Sequence, residues 1–405
     1  MSQRRSIWFA WALLALSGLG LAGLAASHYF PSRPSAPPRP TYTGVAALVE
    51  RFQCYRCHDA PGKLVPAARE QHCVRCHQAV HAGDFDQDYS AEKLAGWKTN
   101  LVHLRRVPSL AGVERLEREW LIEFLQAPHD LRPGLEAEMP RLAIGPEEAR
   151  EIAAYFVPAQ ALAEPVALGD PERGRVLFRG LDCARCHHFS GAGVKGPDAP
   201  PSGRLDEVRL APDLRHTRRR MSPRSVLAWL RDPKAVKADS LMPTFPLEEV
   251  QRQDLAAFVL QAEVAPLSSR AIPARLPLLE RPVRHAEVEA RVFKRICWHC
   301  HSDPLPVGGD GGPGNTGGFG FAGKGLDLGS YAAIKRGGHD GQGEPVDYLA
   351  TDAGGVPRIV AAMHARYAEV AGQTRSIRGM PLGLPPMSLE EIQLVETWIS
   401  QGAPE

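Results

Sequence analysis

Apolar residues are arranged in two ways along the chain. Residues 7–26 make one uncharged, mostly apolar run directly after Arg4 and Arg5, about the length that spans the hydrocarbon core of a bilayer. Further along, apolar positions recur at helical spacing in short segments, as at Leu389, Ile392, Val395 and Ile399 near the end of the chain. The pattern predicts a mainly α body after one N-terminal transmembrane helix.

The first run has two readings. A secretory signal has a shorter apolar region, about 7 to 15 residues, and ends in an A-x-A-like site; the small residues Ala25, Ala26 and Ser27 match that weakly. An uncleaved membrane anchor over residues 1–30 is the reading adopted, with a signal peptide as the alternative. Arginines on the short side keep that end in the cytoplasm and place the body across the membrane. The proline-rich segment 31–40, PSRPSAPPRP, then acts as a stiff, extended spacer.

The helical segments repeat. MPRLAIGPEEAREIAAYF begins at Met139, MPTFPLEEVQRQDLAAFV at Met242 and MPLGLPPMSLEEIQLVETWI at Met380, each a Met-Pro pair, a short loop and an amphipathic helix. Pro146 suits a first helical position and precedes Glu147 and Glu148, which favour the positive end of a helix. Ser388 and Glu391 form a capping box. PSLAGVERLEREWLIEFLQAP, from Pro108, parallels PDLRHTRRRMSPRSVLAWLRDP, from Pro212: a Pro-x-Leu loop, a helix with tryptophan, then a proline. VAALVERFQC, GRVLFRGLDC and ARVFKRIC each predict a short amphipathic helix running into a cysteine. With 36 prolines and 38 glycines in 405 residues, several loop-rich modules are favoured over one large core. A net charge of +2 implies no polyanionic partner, and nothing resembles a nucleic-acid-binding motif.

All eight cysteines obey one pattern: CYRCH at Cys54, Cys57 and His58; CVRCH at Cys73, Cys76 and His77; CARCH at Cys183, Cys186 and His187; CWHCH at Cys297, Cys300 and His301. A zinc site pairs two Cys-x-x-Cys clips and needs no histidine directly after the second cysteine. A thioredoxin-like dithiol normally occurs once, beside a βαβ pattern. Attachment of c-type haem does need that histidine, because two thiols add to the vinyl groups of one porphyrin and the next residue reaches the iron. Four covalently bound haem c groups are expected. Bacteria attach this cofactor on the periplasmic side, so anchor and motifs together predict a single-pass protein of the bacterial cytoplasmic membrane with its haem domains in the periplasm.

The order of helix, CxxCH, Pro-x-Leu loop, Met-Pro and C-terminal helix resembles the class I cytochrome c family over nearly all of residues 41–405. The resemblance implies three consecutive cytochrome c-like helical domains: a dihaem domain at 41–160 and monohaem domains at 166–265 and 283–405. In that family the N- and C-terminal helices cross beside the haem and a methionine sulfur is the second axial ligand. Carried over, Met139, Met242 and Met380 become those ligands; the plainer reading of each is a gap-filling core residue. Met387 competes with Met380 in the same loop. The third repeat departs from the pattern, with a glycine-rich insertion at 308–325 and no clear Pro-x-Leu element. Three methionines leave one iron over. Met139 goes to the Cys54/Cys57 haem, which has the preceding helix, and the Cys73/Cys76 motif reads as an insertion with a histidine distal ligand. His72, His81, His103 and His129 are available, and His103 is selected; the swapped assignment stays open.

A haem with two strong protein ligands suits outer-sphere electron transfer rather than bond-making at iron. The expected function is a multihaem c-type cytochrome passing electrons among periplasmic or membrane respiratory partners, other redox proteins of an electron-transport chain. Only 15 residues lie between Cys57 and Cys73, which predicts that the first two irons lie close together. The alternatives are a membrane-anchored quinol dehydrogenase, a dihaem peroxidase-like enzyme, or a haem subunit of a larger oxidase or reductase complex. The basic run RHTRRR, residues 215–220, is a candidate docking patch for an acidic partner, a solvated face, or a contact for haem propionates.

Overall fold

The structure, a computed structural model, describes residues 43–405 except 70–71, 88, 102–106, 130, 133–138, 160–164, 198–207, 209, 267–269, 303–325, 341–342 and 374–375. The expected anchor and spacer and the glycine-rich segment 308–325 lie outside the described residues.

In the first repeat, α1 (Val45–Phe52) runs into a 3₁₀ turn at Cys54–Arg56. After it come α2 (Cys73–Ala82), α3 (Ala91–Asn100), α4 (Arg118–Gln126) and α5 (Pro146–Phe156). The start of α5 is the one its sequence predicts: Pro146 occupies the first position, and the Glu148 carboxylate accepts the Gly145 N–H at 2.8 Å. Both α1 and α4 pack on α5, closing a core around Phe52, Trp120, Leu121, Leu125, Ile152 and Phe156. A separate small cluster holds α2 to α3 through Val80, Phe85 and Leu94.

The second repeat is built from α6 (Pro171–Gly180), α7 (Pro223–Arg231) and α8 (Glu249–Gln261). Asp170 caps α6 by accepting the Glu172 and Arg173 N–H groups, and Ser222 caps α7 by accepting that of Ser225. Where α6 crosses α8 the backbones nearly touch, since a Cβ on Gly174 would lie 2.0 Å from the Asp254 carbonyl oxygen. The Asp254 carboxylate, 3 % exposed, is held by the Arg173 guanidinium at 2.8 and 2.9 Å and by the Asp170 N–H at 2.7 Å.

Those bonds, that of Arg173 first, hold the Asp254 pKa below its usual value. A depressed carboxylate pKa contributes stability above the unfolded value of about 3.9 and loses it as pH falls through the folded value. Asp254→Asn is therefore expected to lower the thermal midpoint of this repeat by several degrees at pH 7, with the deficit shrinking below about pH 4. A deficit unchanged by acid, measured by calorimetry, would exclude the ionic contribution.

The third repeat opens with an α turn at His285–Val288, a π-helical run at Glu289–Cys297 and a last α turn at Trp298–His301, rather than the plain helix that ARVFKRIC predicts. Bonds from i to i+5 widen the turn and leave Val288, Val292, Phe293 and Cys297 all packed into one cluster. Next come α9 (Tyr331–Arg336), a short antiparallel pair of β1 (Gly338–His339) with β2 (Pro345–Val346), α10 (Arg358–Val370) and α11 (Leu389–Ser400). Ser388 and Glu391 form the predicted capping box on α11, and Trp398 lies at the centre of the core, 0 % exposed.

The body is mainly helical, and in every repeat the helix entering the first cysteine packs on the last helix: α1 on α5, α6 on α8, and the 285–301 stretch on α11. The expectation of a transmembrane helix is corrected. Among the described residues no helix is long and apolar enough to cross a membrane. The physical reason is length and use: α8 and α10 have 13 residues each, about 20 Å at 1.5 Å per residue against roughly 30 Å of hydrocarbon, and the apolar faces of α8 and α10 are spent on the cores.

Candidate haem-binding sites

Three of the four motif histidines share one local arrangement. His58 Nδ1 donates to the Pro108 carbonyl at 2.9 Å, His187 Nδ1 to the Pro212 carbonyl at 2.9 Å, and His301 Nδ1 to the Leu326 carbonyl at 3.1 Å. A carbonyl only accepts, so each proton sits on Nδ1 and each Nε2 keeps the lone pair that a metal needs. Burial pushes all three imidazole pKa values down, and the carbonyl bond only partly opposes it, which keeps the rings neutral.

The loop that supplies the carbonyl is built the same way each time. Ser109 Oγ accepts the Ala111 N–H at 3.1 Å, Asp213 Oδ1 that of Arg215 at 3.1 Å, and Asp327 Oδ1 that of Gly329 at 2.8 Å. Leu110, Leu214 and Leu328 then donate their N–H groups back to Asp59, His188 and His301. Leu326, Asp327 and Leu328 thus fill the place of the element that sequence reading did not find in the third repeat. The signal was the Asp-Leu pair shared with Asp213 and Leu214; a short side chain able to make a local turn defines the loop, and the proline does not.

The methionines differ in what they pack against. Met139 packs on the cluster that contains Cys54, and Met242 on the cluster that contains Cys183. The cluster around Cys76 contains no methionine, which favours pairing Met139 with the first motif. The Met242 sulfur accepts the Trp229 indole N–H at 2.9 Å. Aligning α4 with α7 by their N-caps, Glu117 and Ser222, puts Phe124 opposite Trp229, so the first repeat has no such donor at that position. Met387 immediately precedes the N-cap of α11, as Ile144 precedes Gly145 and Leu247 precedes Glu248. All three are buried, and Met387 packs with Ile392 in one cluster as a hydrophobic staple. Met380 therefore remains the ligand candidate, half-buried in a loop fixed by the Met380 N–H to Ala362 carbonyl bond of 2.9 Å. Arg141, two residues past Met139, comes within 3.6 Å of Glu369, which also accepts the Gly379 N–H beside Met380 and pairs with Arg366. The first and third methionine loops are thereby joined.

The second motif differs. Cys73, Cys76 and His77 lie on α2, with Cys76 and His77 buried. The Cys57 and Cys73 thiols are hydrogen-bonded to each other, and that bond together with burial raises the Cys57 pKa well above the usual thiol range. Arg75 donates to the Asp59 carboxylate at 2.6 Å, a second tie between the two motifs. Of the distal candidates, His72 caps α2 by accepting the Arg75 N–H at 3.3 Å. His81 stands four residues after His77 on the same helix, so both rings project from one face and do not bracket an iron. His129 packs against the rings of Phe124 and His216. His103 lies outside the described residues.

The donor sets fit a porphyrin held by thioethers. Burial raises the Cys54 and Cys183 thiols to about 11 and Cys297 to about 12, the mark of apolar surroundings rather than of thiolate sites. Among the described residues no three His, Cys, Asp or Glu side chains converge as a metal cluster would require. The arginines of the basic run 215–220 have contacts within the chain: Arg215 and Arg218 bond backbone carbonyls of Ser190, Ala265 and Ala262, Arg219 pairs with Glu123 at 2.5 Å while staying exposed, and Arg220 is buried. No curated protein and no solved structure matches the chain. Residues 171–263 match the family model described as Cytochrome c, and these residues, with CARCH and Met242 among them, make a cytochrome c domain with covalently bound haem c and a haem-based electron-transfer role.

Proposed function

We propose that the chain is a tetrahaem c-type cytochrome that relays electrons between other redox proteins of a respiratory chain, with its haem modules in the periplasm. The observation that carries this reading is the recurrence, at His58 and His301, of the imidazole-to-carbonyl bond found at His187 inside the matched domain. Two further modules would then flank that domain, at 41–160 and 283–405.

Within each module the chain's own residues divide the work. The motif cysteines would tether the porphyrin, and the histidine Nε2 and the sulfur of Met139, Met242 or Met380 would ligate its iron. The bound haem supplies a one-electron ferric/ferrous couple, raised in potential by the thioether ligand. The hydrogen bond between Cys57 and Cys73 supports a fourth haem beside the first, and we assign it a histidine distal ligand, His103, and a lower potential.

Intact-mass measurement of the matured protein is expected to show four haem additions that survive acid denaturation. A redox titration is expected to resolve three high-potential centres and one lower. Fewer additions, or pigment released by acid, would remove the tetrahaem reading while leaving the matched domain in place.

A further inference from the structure

Met380 stands in a loop that two charged side chains of α10 grip from both sides. Before the methionine, the Glu369 carboxylate accepts the Gly379 N–H at 2.8 Å; after it, Arg366 Nε donates to the Leu384 carbonyl at 2.6 Å. The two grips are tied together, because Arg366 Nη1 donates to Glu369 at 3.2 Å. Between them the Met380 N–H bonds the Ala362 carbonyl at 2.9 Å. Ala362, Arg366 and Glu369 follow one another at helical spacing along α10, so one face of the helix sets the whole loop. Gly379 lets the chain lie against that face: a Cβ there would stand 2.5 Å from the Arg366 Cα.

The pair is deep, with Arg366 2 % exposed and Glu369 8 %. Stability alone does not account for it, since apolar residues of similar volume in place of a buried ion pair are often neutral or stabilising. What the charges supply is direction. The guanidinium donates along fixed lines and the carboxylate accepts on two oxygens, so each can hold its partner and a backbone group at once. The second repeat fixes its methionine differently, through the Trp229 indole on the Met242 sulfur. No tryptophan occurs in α10, and its hold is on the backbone at either side of Met380.

We propose that Arg366 and Glu369 are positioning residues for Met380, fixing the loop so that its sulfur is presented to the iron of the Cys297/Cys300 haem. The inference rests on the reading of Met380 as a ligand of that haem. Both residues act through the methionine: by narrowing the conformations of the loop they keep the sulfur on the iron and external ligands off it. Arg141 approaches Glu369 at 3.6 Å from the edge of the pair, its side chain 17 % exposed, so removing the pair does not strand it in the core.

The test uses the full, haem-loaded chain in the ferric state and imidazole as the competing ligand. Met380→Ala assigns the signal, because it opens the Cys297/Cys300 haem to imidazole outright. The double variant Arg366→Met/Glu369→Leu leaves no buried charge in the pair's place and is expected to keep the thermal midpoint of the third repeat. Losing two hydrogen bonds to charged groups should nevertheless tighten imidazole binding at that haem by roughly tenfold or more. Glu369→Gln keeps the shape of the side chain and replaces a charge-assisted bond by a neutral one; it should tighten binding by a smaller factor, and it serves if the double variant does not mature. The proposal is overturned if either variant matures with unchanged imidazole affinity at that haem, or if the affinity rises equally at every haem, as general loosening would give. A missing haem mass at Cys297/Cys300 in the unmutated chain, or a Met380→Ala protein that opens no site, instead removes the reading beneath it.

Discussion

Under the proposed tetrahaem reading, replacing Met242 by alanine is expected to remove a ligand from the haem of the matched domain and leave the other haems unchanged. The sulfur is the half-buried group that packs with Cys183, and the Trp229 indole fixes it from the other side at 2.9 Å. Its loss should lower the potential of that haem by on the order of 0.1 V or more, within the roughly 0.8 V over which axial ligands set haem potentials. The same iron should become able to bind carbon monoxide when reduced, a change visible in the optical spectrum. Trp229→Phe, which copies Phe124 of the first repeat, keeps the sulfur and should give a much smaller shift without carbon monoxide binding. An unchanged potential in Met242→Ala would show that the sulfur is core filling, the plainer reading of a buried methionine.

The chemistry of the sites was legible because it is written in short, contiguous spacing. CxxCH names its own two thiols and histidine, and Met-Pro marks the loop that leads into a capped amphipathic helix. What sequence reading missed depends on backbone geometry. Leu326 replaces a proline because only its carbonyl is used, and Asp327 sets the turn that presents it. The tryptophans looked equivalent and are not: Trp120 is the third residue of α4 while Trp229 is the seventh of α7. One packs in the core under Arg220 and the other reaches a methionine sulfur. The choice between Met380 and Met387 likewise needed the helix start, since both lie in one loop and only the position before Ser388 marks Met387 as a staple.

Long-range use of charge was the least legible part. RHTRRR reads as a surface patch by composition, yet four of its arginines have separate partners within the chain, and Arg219 and Arg220 find theirs in the first repeat. No local pattern encodes a partner about 100 residues away; it follows from two copies of one fold meeting through the same strip. The apolar run at 7–26 lies outside the described residues, and among those described the helices are short segments whose apolar faces close on one another, none long and apolar enough to cross a membrane.

Gly174→Val is expected to have the largest effect on folding of any single change in the matched domain. The glycine faces the backbone of α8, with the Asp254 carbonyl oxygen 2.0 Å and the Phe258 Cβ 2.8 Å from where a Cβ would stand. Backbone atoms do not yield as a flexible side chain does, so α6 must lift away from α8. Lifting it also breaks the Arg173 bonds to Asp254 and opens the contacts of Phe178 with Phe258. Overpacking and exposure together should cost about 3 kcal/mol or more. Because α6 leads directly into Cys183, the strap that carries the thiols moves with it. The matched domain should then be lost to proteolysis or mature without its haem, while the separate cores around Trp120 and Trp398 persist. The other repeats have Val45 and Val288 nine residues ahead of their first cysteine, so Val45→Gly should show no comparable gain in stability from closer packing. A Gly174→Val protein with an unchanged thermal midpoint and full haem mass would mean that the α6 and α8 crossing is looser than the structure has it.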